Sequence, residues 1–461
     1  MLLAALAPAQ VITPAQMSRA YGVDQIKFGS IKGDGAGQTI AIVDAFDAPT
    51  IVSDLAAFNA KYGLPTTASG GAPIVTKVFP GGSTPGTDTT WAREITLDVE
   101  WAHAIAPGAK ILLVEADDPS FGSMLSAVYY AAGLPDVSVV SMSWGLAEFD
   151  LEPFFDAYFV APDGHAPVSY VASAGDVGAV TQYPAVSSNV VAVGGTTLQL
   201  STTGAYGIEK AWASSGGGVS AYVSAPSYQS AIATSISSGF RSSPDVAWDA
   251  NPSTGVKIIY GGAEIQVGGT SLGAPCFAAV VAIADQGRVL AGKTTLDGGS
   301  QLLPALYSLP AYNFHDIVSG TASSGSGATF HSASAAPGYD LVTGRGSPYA
   351  NLVVASLVNA NFSTVDGVNG PTTTVTFATV TFPNVAMQTS ISLTPSWNSG
   401  NNPVSPEIRQ PVLQVYVGSN FNQDYETVSY GGNDRTRFRF RIPSRQMTVS
   451  SPALGLETAA S

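Results

Sequence analysis

A chain of 461 residues, 45% apolar and only 11% charged, exceeds one ordinary core and predicts a large domain joined to a smaller one. Its 33 Asp and Glu against 19 Lys and Arg leave a net charge of −14. That balance argues against nucleic acid or an anionic membrane as partner, and suits an acidic medium in which carboxylates are titrated. A single cysteine, Cys276, excludes an intramolecular disulfide, a Cys-rich zinc site and an iron–sulfur cluster.

The first seven residues are apolar but lack the basic start of a secretion leader; the want of disulfides leaves export open, because a chain of this size needs no staples. Residues 14–21 predict a short helix. Gly33, Gly35 and Gly37 form a turn that precedes a strand, whereas a dinucleotide loop follows one, so nucleotide binding is set aside. Residues 38–43 predict a buried strand ending at Asp44, 51–62 a helix, and 69–90 a long Gly/Thr/Pro loop. A helix over 90–104 stops at Pro107-Gly108. Strands at 110–115, 137–144, 168–174 and 190–194 alternate with a helix at 121–132. This alternation predicts an α/β fold with a mainly parallel sheet, whose chemistry gathers at strand ends, where Asp44, Trp144 and Asp176 stand. The longest apolar run, 272–284, is too short to cross a bilayer and stops at Asp285. Residues 366–461 change texture: Thr, Val and Phe runs without lysine predict a separate all-β, sandwich-like domain, with strands at 372–382, 412–417 and 436–442. The alternation of Arg435 to Arg441 fits one wet and one buried strand face.

Three stretches carry candidate chemistry. In Gly268-Gly269-Thr270-Ser271-Leu272-Gly273-Ala274-Pro275, a serine follows an apolar strand (265–267) and opens a long apolar helix. Helix N-termini offer unpaired N–H groups and positive potential to a developing oxyanion. An isolated serine there is most often a cap, but the surrounding glycines favour a nucleophile. A nucleophile needs a base. Glu94 and Asp98, four apart on an apolar helix, share a face and repel; a shared proton would make the pair workable, with Glu94 as general base and Asp98 orienting it. The alternative, a solvated acidic face, fits Glu100 and Arg93. Asp176, on a Gly-flanked turn after a strand, is either an Asx-turn residue or a protonated donor to an oxyanion.

Taken in order, Glu94-x-x-x-Asp98, Ser143-Trp144-Gly145, Ala174-Gly175-Asp176-x-Gly178, Tyr183-Pro184-Ala185, Ala192 to Thr196, Ser215 to Gly218 and Gly269-Thr270-Ser271-x-x-x-Pro275 resemble the serine-carboxyl peptidases of the sedolisin/kumamolisin family, relatives of the subtilisins, over residues 12–356. None of His103, His165, His315 and His331 lies in the His-Gly-Thr-His element of a subtilisin. The resemblance implies a subtilisin-like, mainly parallel sheet with helices on both faces over 1–356. It implies Ser271 as nucleophile, Glu94 as base, Asp98 as its partner and Asp176 as oxyanion group. Asp44 and Trp144 resemble an outer hydrogen-bonding pair, and Ser143, Gly145, Ser215, Gly216 and Gly217 would bind the substrate chain as an added strand. It also implies one calcium ion, held by the side chains of Asp316 and Asp340 and the carbonyls of Ile317, Ala336 and Gly338.

The expected protein is a monomeric, secreted or surface endopeptidase acting on polypeptides at roughly pH 3–5, with loss above ~6 as Asp176 ionises. Family members carry a long N-terminal propeptide, and about 35 residues before the first core strand are too few for one. Two rivals remain: an α/β-hydrolase, whose Gly-x-Ser-x-Gly pattern Gly269 to Gly273 fits with Asp316 and His331 downstream, and an inactive calcium-stabilised adhesion protein working through its β domain.

Overall fold

The computed structural model describes residues 11–232, 234–326 and 330–362, and short strand segments between 380 and 449. The chain divides into two compact units, Met1–Ala360 and Asn361–Ser461.

In the first unit the strands of the central sheet are β1 (Thr39–Ala45), β2 (Val75–Val78), β3 (Lys110–Ala116), β4 (Val137–Met142), β5 (Ser169–Ser173), β6 (Val190–Leu200), β7 (Tyr206–Ala211) and β8 (Val246–Asp249). Their spatial order is β7-β6-β5-β4-β1-β3-β2, with β8 also along β6. Every pairing is parallel except β6 with β7. The strands β1, β4 and β5 are buried at every position, as an apolar parallel sheet covered on both faces must be.

The principal helices are α1 (Pro14–Ala20), α2 (Ile51–Tyr62), α3 (Thr89–Ile105), α4 (Phe121–Ala132), α5 (Thr270–Leu290) and α6 (Ala350–Asn359). Local chemistry sets their ends. Thr13 and Gln16 form a capping box at α1, Asp88 caps α3, Ser120 caps α4, and Gly63 ends α2 at φ 67°. The apolar α5 packs against α3, α6 and strands β4, β5 and β6, while α4 packs on β1, β3 and β4. All residues of α3 from Ile95 to Ile105 are buried, so its polar side chains face the interior.

Three expectations change. The stretch 69–90 contains β2, an edge strand with half-exposed residues and no apolar run to announce it. The strand before Ser271, Ala263–Val267, pairs in a hairpin with Val256–Tyr260, outside the central sheet. Glu100 is not on a solvated face: it is buried and accepts from Ile259 N–H at 3.0 Å.

In the second unit, Thr436–Arg441 pairs antiparallel with Gln388–Leu393 and Tyr425–Val428, and Thr448–Val449 with Val380–Thr381 and Val415–Tyr416. The rest of the strands expected at 372–382 and 412–417, and the two faces of the arginine-rich strand, lie outside the described residues.

Behind the sheet, Asp245 ties β6 to the segment before β8. Its carboxylate accepts from Arg241 Nη2 at 2.7 Å, Ala192 N–H at 2.8 Å and the Tyr307 hydroxyl at 2.6 Å, and Arg241 and Asp245 are both fully buried. Asp245→Ala strands a buried guanidinium and two further donors. Urea unfolding at fixed pH is expected to show a loss of about 3–5 kcal/mol. A loss under about 1 kcal/mol would mean that the cluster relaxes without cost.

Candidate active site

The parallel topology brings the C-terminal ends of β1, β4 and β5 to one edge, carrying Asp44, the Ser143–Gly145 turn and Asp176. The start of α5 meets them there. Thr270 N–H and the Thr270 hydroxyl both donate to Asp176 Oδ1 at 2.8 Å, and the same hydroxyl accepts from Gly175 N–H at 3.0 Å. Gly269 is required at this junction. Its φ is 120°, and a Cβ there would lie 2.7 Å from Asp176 Oδ2.

Ser271 is the second residue of α5, where its own N–H has no intrahelical acceptor. Its hydroxyl faces the Glu94 carboxyl of α3. Burial pushes the Glu94 carboxyl up to about 7; the facing Ser271 hydroxyl opposes the rise and the nearby charge of Asp176 adds to it. Ser271, Glu94 and Asp176 therefore meet, although Glu94 lies 177 residues and Asp176 95 residues before Ser271 in the sequence.

 

Behind Glu94, Asp98 and Asp44 are wholly buried, and none of their four carboxyl oxygens has a hydrogen-bond partner of good geometry. Burial raises Asp98 well above the carboxylate range, with Asp44 and Glu94 adding to it and the facing Ser143 hydroxyl opposing. Asp44 is raised by burial, then by Glu94 and Glu115. Glu115, the register partner of Asp44 across β1 and β3, is pushed up to about 7 by burial, against the Ala48 N–H and Lys77. Lys77 Nζ lies 2.9 Å from Glu115 and also bonds Asp47. Asp176 meets solvent on one side, yet burial of its carboxyl raises it against the two Thr270 donors. Glu94 opens into a cleft of about 230 Å³ lined by Thr90, Trp91, Glu94, Ser143, Trp144 and Gly145.

Residues 86–293 match the subtilase family. The chain is 34% identical to kumamolisin of Bacillus sp. (strain MN-32), over 75% of this chain and 63% of that protein. It is 29% identical to sedolisin of Pseudomonas sp. (strain 101), over 69% of this chain and 60% of that one. A solved structure of Pseudomonas sedolisin, a serine-carboxyl proteinase complexed with two molecules of pseudo-iodotyrostatin, superposes with a TM-score of 0.66 at 26% identity, covering 77% of this chain and all of that one. The chain is thus similar to the sedolisin family over most of its length. It spans 63% and 60% of the length of the two curated relatives.

Against the sedolisin-type expectations, two details differ. Trp144 does not bond Asp44: its Nε1 donates to the Val43 carbonyl at 2.9 Å, and its ring walls the cleft. Ser215, Gly216 and Gly217 spend their groups inside the protein. The buried Ser215 hydroxyl accepts from Gly195 N–H and donates to the Val342 carbonyl, Gly216 N–H goes to Gly175 and Gly217 N–H to Val180. A Cβ on Gly216 would sit 2.0 Å from the Ala174 carbonyl oxygen, so close packing is what this glycine serves. Ser143 and Gly145, in contrast, line the cleft.

The histidines sit elsewhere. His103 is buried against the Pro65 carbonyl, His165 bonds the Leu134 carbonyl, His315 stacks between Tyr206 and Tyr349, and His331 is exposed on a hairpin strand opposite Ser324. Asp316 faces Gly338, so the hydrolase-like trio of Ser271, Asp316 and His331 is not assembled.

Asp316 and Asp340 close on one loop. Gly338 N–H donates to both Asp316 oxygens at 3.1 Å, and Asp340 accepts from the N–H groups of Ala336, Val342 and Thr343 and from the Thr343 hydroxyl. Both carboxylates are hard oxygen donors of the kind calcium takes. Among the described residues no cluster of three or more His, Cys, Asp or Glu is placed to hold a metal.

Sequence reasoning missed Glu115, Lys77 and Trp91, whose positions near the site depend on strand register and helix placement.

The raised carboxyls make stability depend on pH. Glu94 and Glu115 at about 7, Glu100 at about 9, Glu152 at about 8 and Asp156 at about 6 hold protons in the folded chain that the unfolded chain releases near pH 4. Their contribution is full below about pH 4 and is lost as pH rises through the folded values. The buried His103 and His315, lowered to about 4, act in the opposite sense between about 6.5 and 4, but the carboxyls outnumber them. Melting temperature is therefore expected to fall from pH 4 to pH 8, and Glu100→Gln, which keeps an acceptor for Ile259, should flatten the fall. A melting temperature that climbs steadily over this range would refute the assignment.

Proposed function

We propose that this chain is a serine-type peptidase of acid medium that cleaves peptide bonds in polypeptides, with Ser271 as nucleophile and a carboxylate as its base. The observation that carries the reading is that the Ser271 hydroxyl faces the Glu94 carboxyl, beside a cleft with no histidine in its lining.

In this reading an extended substrate chain lies along Ser143 and Gly145 and presents its carbonyl to Ser271. Ionised Glu94 takes the Ser271 proton as the oxygen attacks the carbonyl carbon. The resulting oxyanion accepts from Ser271 N–H and from Asp176, which donates only while protonated. Glu94 returns the proton to the leaving amine as the C–N bond breaks, leaving an acyl ester on Ser271. Water, deprotonated by Glu94, then hydrolyses the ester and restores the hydroxyl. Protonated Asp98 and Asp44 leave Glu94 as the member of the group that carries charge.

The rate then needs an ionised Glu94 and a neutral Asp176, so its pH profile is a bell in which Glu94 sets the acid limb and Asp176 the alkaline one. Burial raises both carboxyls, so both limbs lie above the ordinary carboxylate values. Cleavage of a denatured protein is the test. Glu94→Gln should cost on the order of 10²–10⁴ in kcat, whereas His331→Ala should cost nothing. Asp176→Asn, whose amide donates at any pH, should extend activity to higher pH while lowering its maximum. An unshifted alkaline limb would remove Asp176 from the mechanism.

The acidic surface and the absence, among the described residues, of a helix long and apolar enough to cross a membrane suit a secreted or surface-held enzyme. One calcium ion at Asp316 and Asp340, with the carbonyls of Ile317, Ala336 and Gly338, would cross-link the loop to the strand before it by charge. Chelation is then expected to lower the melting temperature by several degrees, and Asp316→Ala to abolish that sensitivity. Equal melting with and without chelator in the unaltered chain would exclude the ion.

A further inference from the structure

We infer that the Ser143 hydroxyl is a positioning group for Ser271, supplying the hydrogen bond that Pro275 withholds from the helix. The inference rests on the reading of Ser271 as nucleophile.

In an α-helix the carbonyl of each residue is bonded by the N–H four residues on. For Ser271 that residue is Pro275, the sixth of α5, which has no N–H. The carbonyl is left without its helical donor beside the buried Thr270, Leu272 and Pro275, where an unpaired oxygen is costly. Ser143 fills the gap: its Oγ donates to the Ser271 carbonyl oxygen at 3.3 Å.

Ser143 is well placed to hold another residue. It is 8% exposed and follows directly on β4, whose last residue Met142 is in register with Ala172 of β5. The helix start is thus fixed to the sheet at two points. Asp176, after β5, holds Thr270, and Ser143, after β4, holds Ser271. The Asp98 carboxyl also faces the Ser143 hydroxyl, but neither Asp98 oxygen has a partner of good hydrogen-bond geometry. The single proton of Ser143 is therefore assigned to the Ser271 carbonyl.

A double-substitution cycle tests this, because Pro275→Ala restores the missing N–H and should make the Ser143 hydroxyl dispensable. With a fluorogenic peptide substrate, Ser143→Ala is expected to lower kcat by roughly five- to tenfold with little change in KM. In the Pro275→Ala background the same change should cost less than about twofold. Equal losses in both backgrounds, or a loss confined to KM, would overturn the inference. Should Pro275→Ala fail to fold, Ser143→Thr and Ser143→Val, alike in shape and differing in the hydroxyl, repeat the comparison; Thr should retain the rate and Val lose it, and equal rates would overturn the inference. Ser271→Ala separates the two levels. Full activity there would end the nucleophile reading itself, whereas an inactive Ser271→Ala with an uncoupled cycle would sink only the role of Ser143.

Discussion

Four carboxyls, those of Asp44, Glu94, Asp98 and Asp176, stand where burial disfavours charge; Glu94 feels the charge of Asp176, and Asp44 and Asp98 feel that of Glu94. They cannot all ionise together, and the arrangement around Ser271 follows from how few protons they surrender. A histidine base would be neutral when ready to act and charged after; a carboxyl is the reverse, so it needs neighbours that stay neutral while it carries charge. Burying Asp44 and Asp98 without hydrogen-bond donors achieves this, because the missing donors are what would have stabilised their ionised forms.

The fold supplies this crowding through its topology. Adjacent parallel strands end at the same edge, so residues that terminate β1, β4 and β5 are neighbours however far apart in sequence. The α5 helix then brings its first turn to the same edge. Thr270 is held by the carboxyl of Asp176, and glycine at 269 gives that carboxyl room. Lys77 sits at the opposite end of the acidic chain, on the edge strand β2, against Glu115 and Asp47. The cation lowers Glu115, whose charge in turn raises Asp44.

Much of this was legible in the sequence. Helices α2 and α4 have the expected bounds, because each carries a clear apolar face. The spacing of Glu94 and Asp98 located the acidic pair, since a helix places residues four apart on one side. The edge strand β2 was not legible, because its short Val-Thr-Lys-Val run has no buried stretch. Glu115 and Lys77 were missed for a different reason: their nearness to Asp44 is a matter of strand register, which no local pattern encodes. The expectation that Trp144 would bond Asp44 took the right neighbourhood and the wrong atom, the Val43 carbonyl next to it in the chain.

The same proton logic extends well beyond the cleft. Glu100 under the hairpin and Glu152 beside Glu148 are also held protonated by burial, and neither touches Ser271. Were the raised values a feature of catalysis alone, these distant carboxyls would be exposed or paired with lysine and arginine. The chain has few such cations to offer, 19 against 33 acids. Acid therefore does two things at once: it discharges an otherwise self-repelling surface and it keeps the interior neutral. For the carboxyl base proposed above, the medium that keeps Asp98 and Asp176 protonated is the one in which the raised carboxyls stabilise the fold.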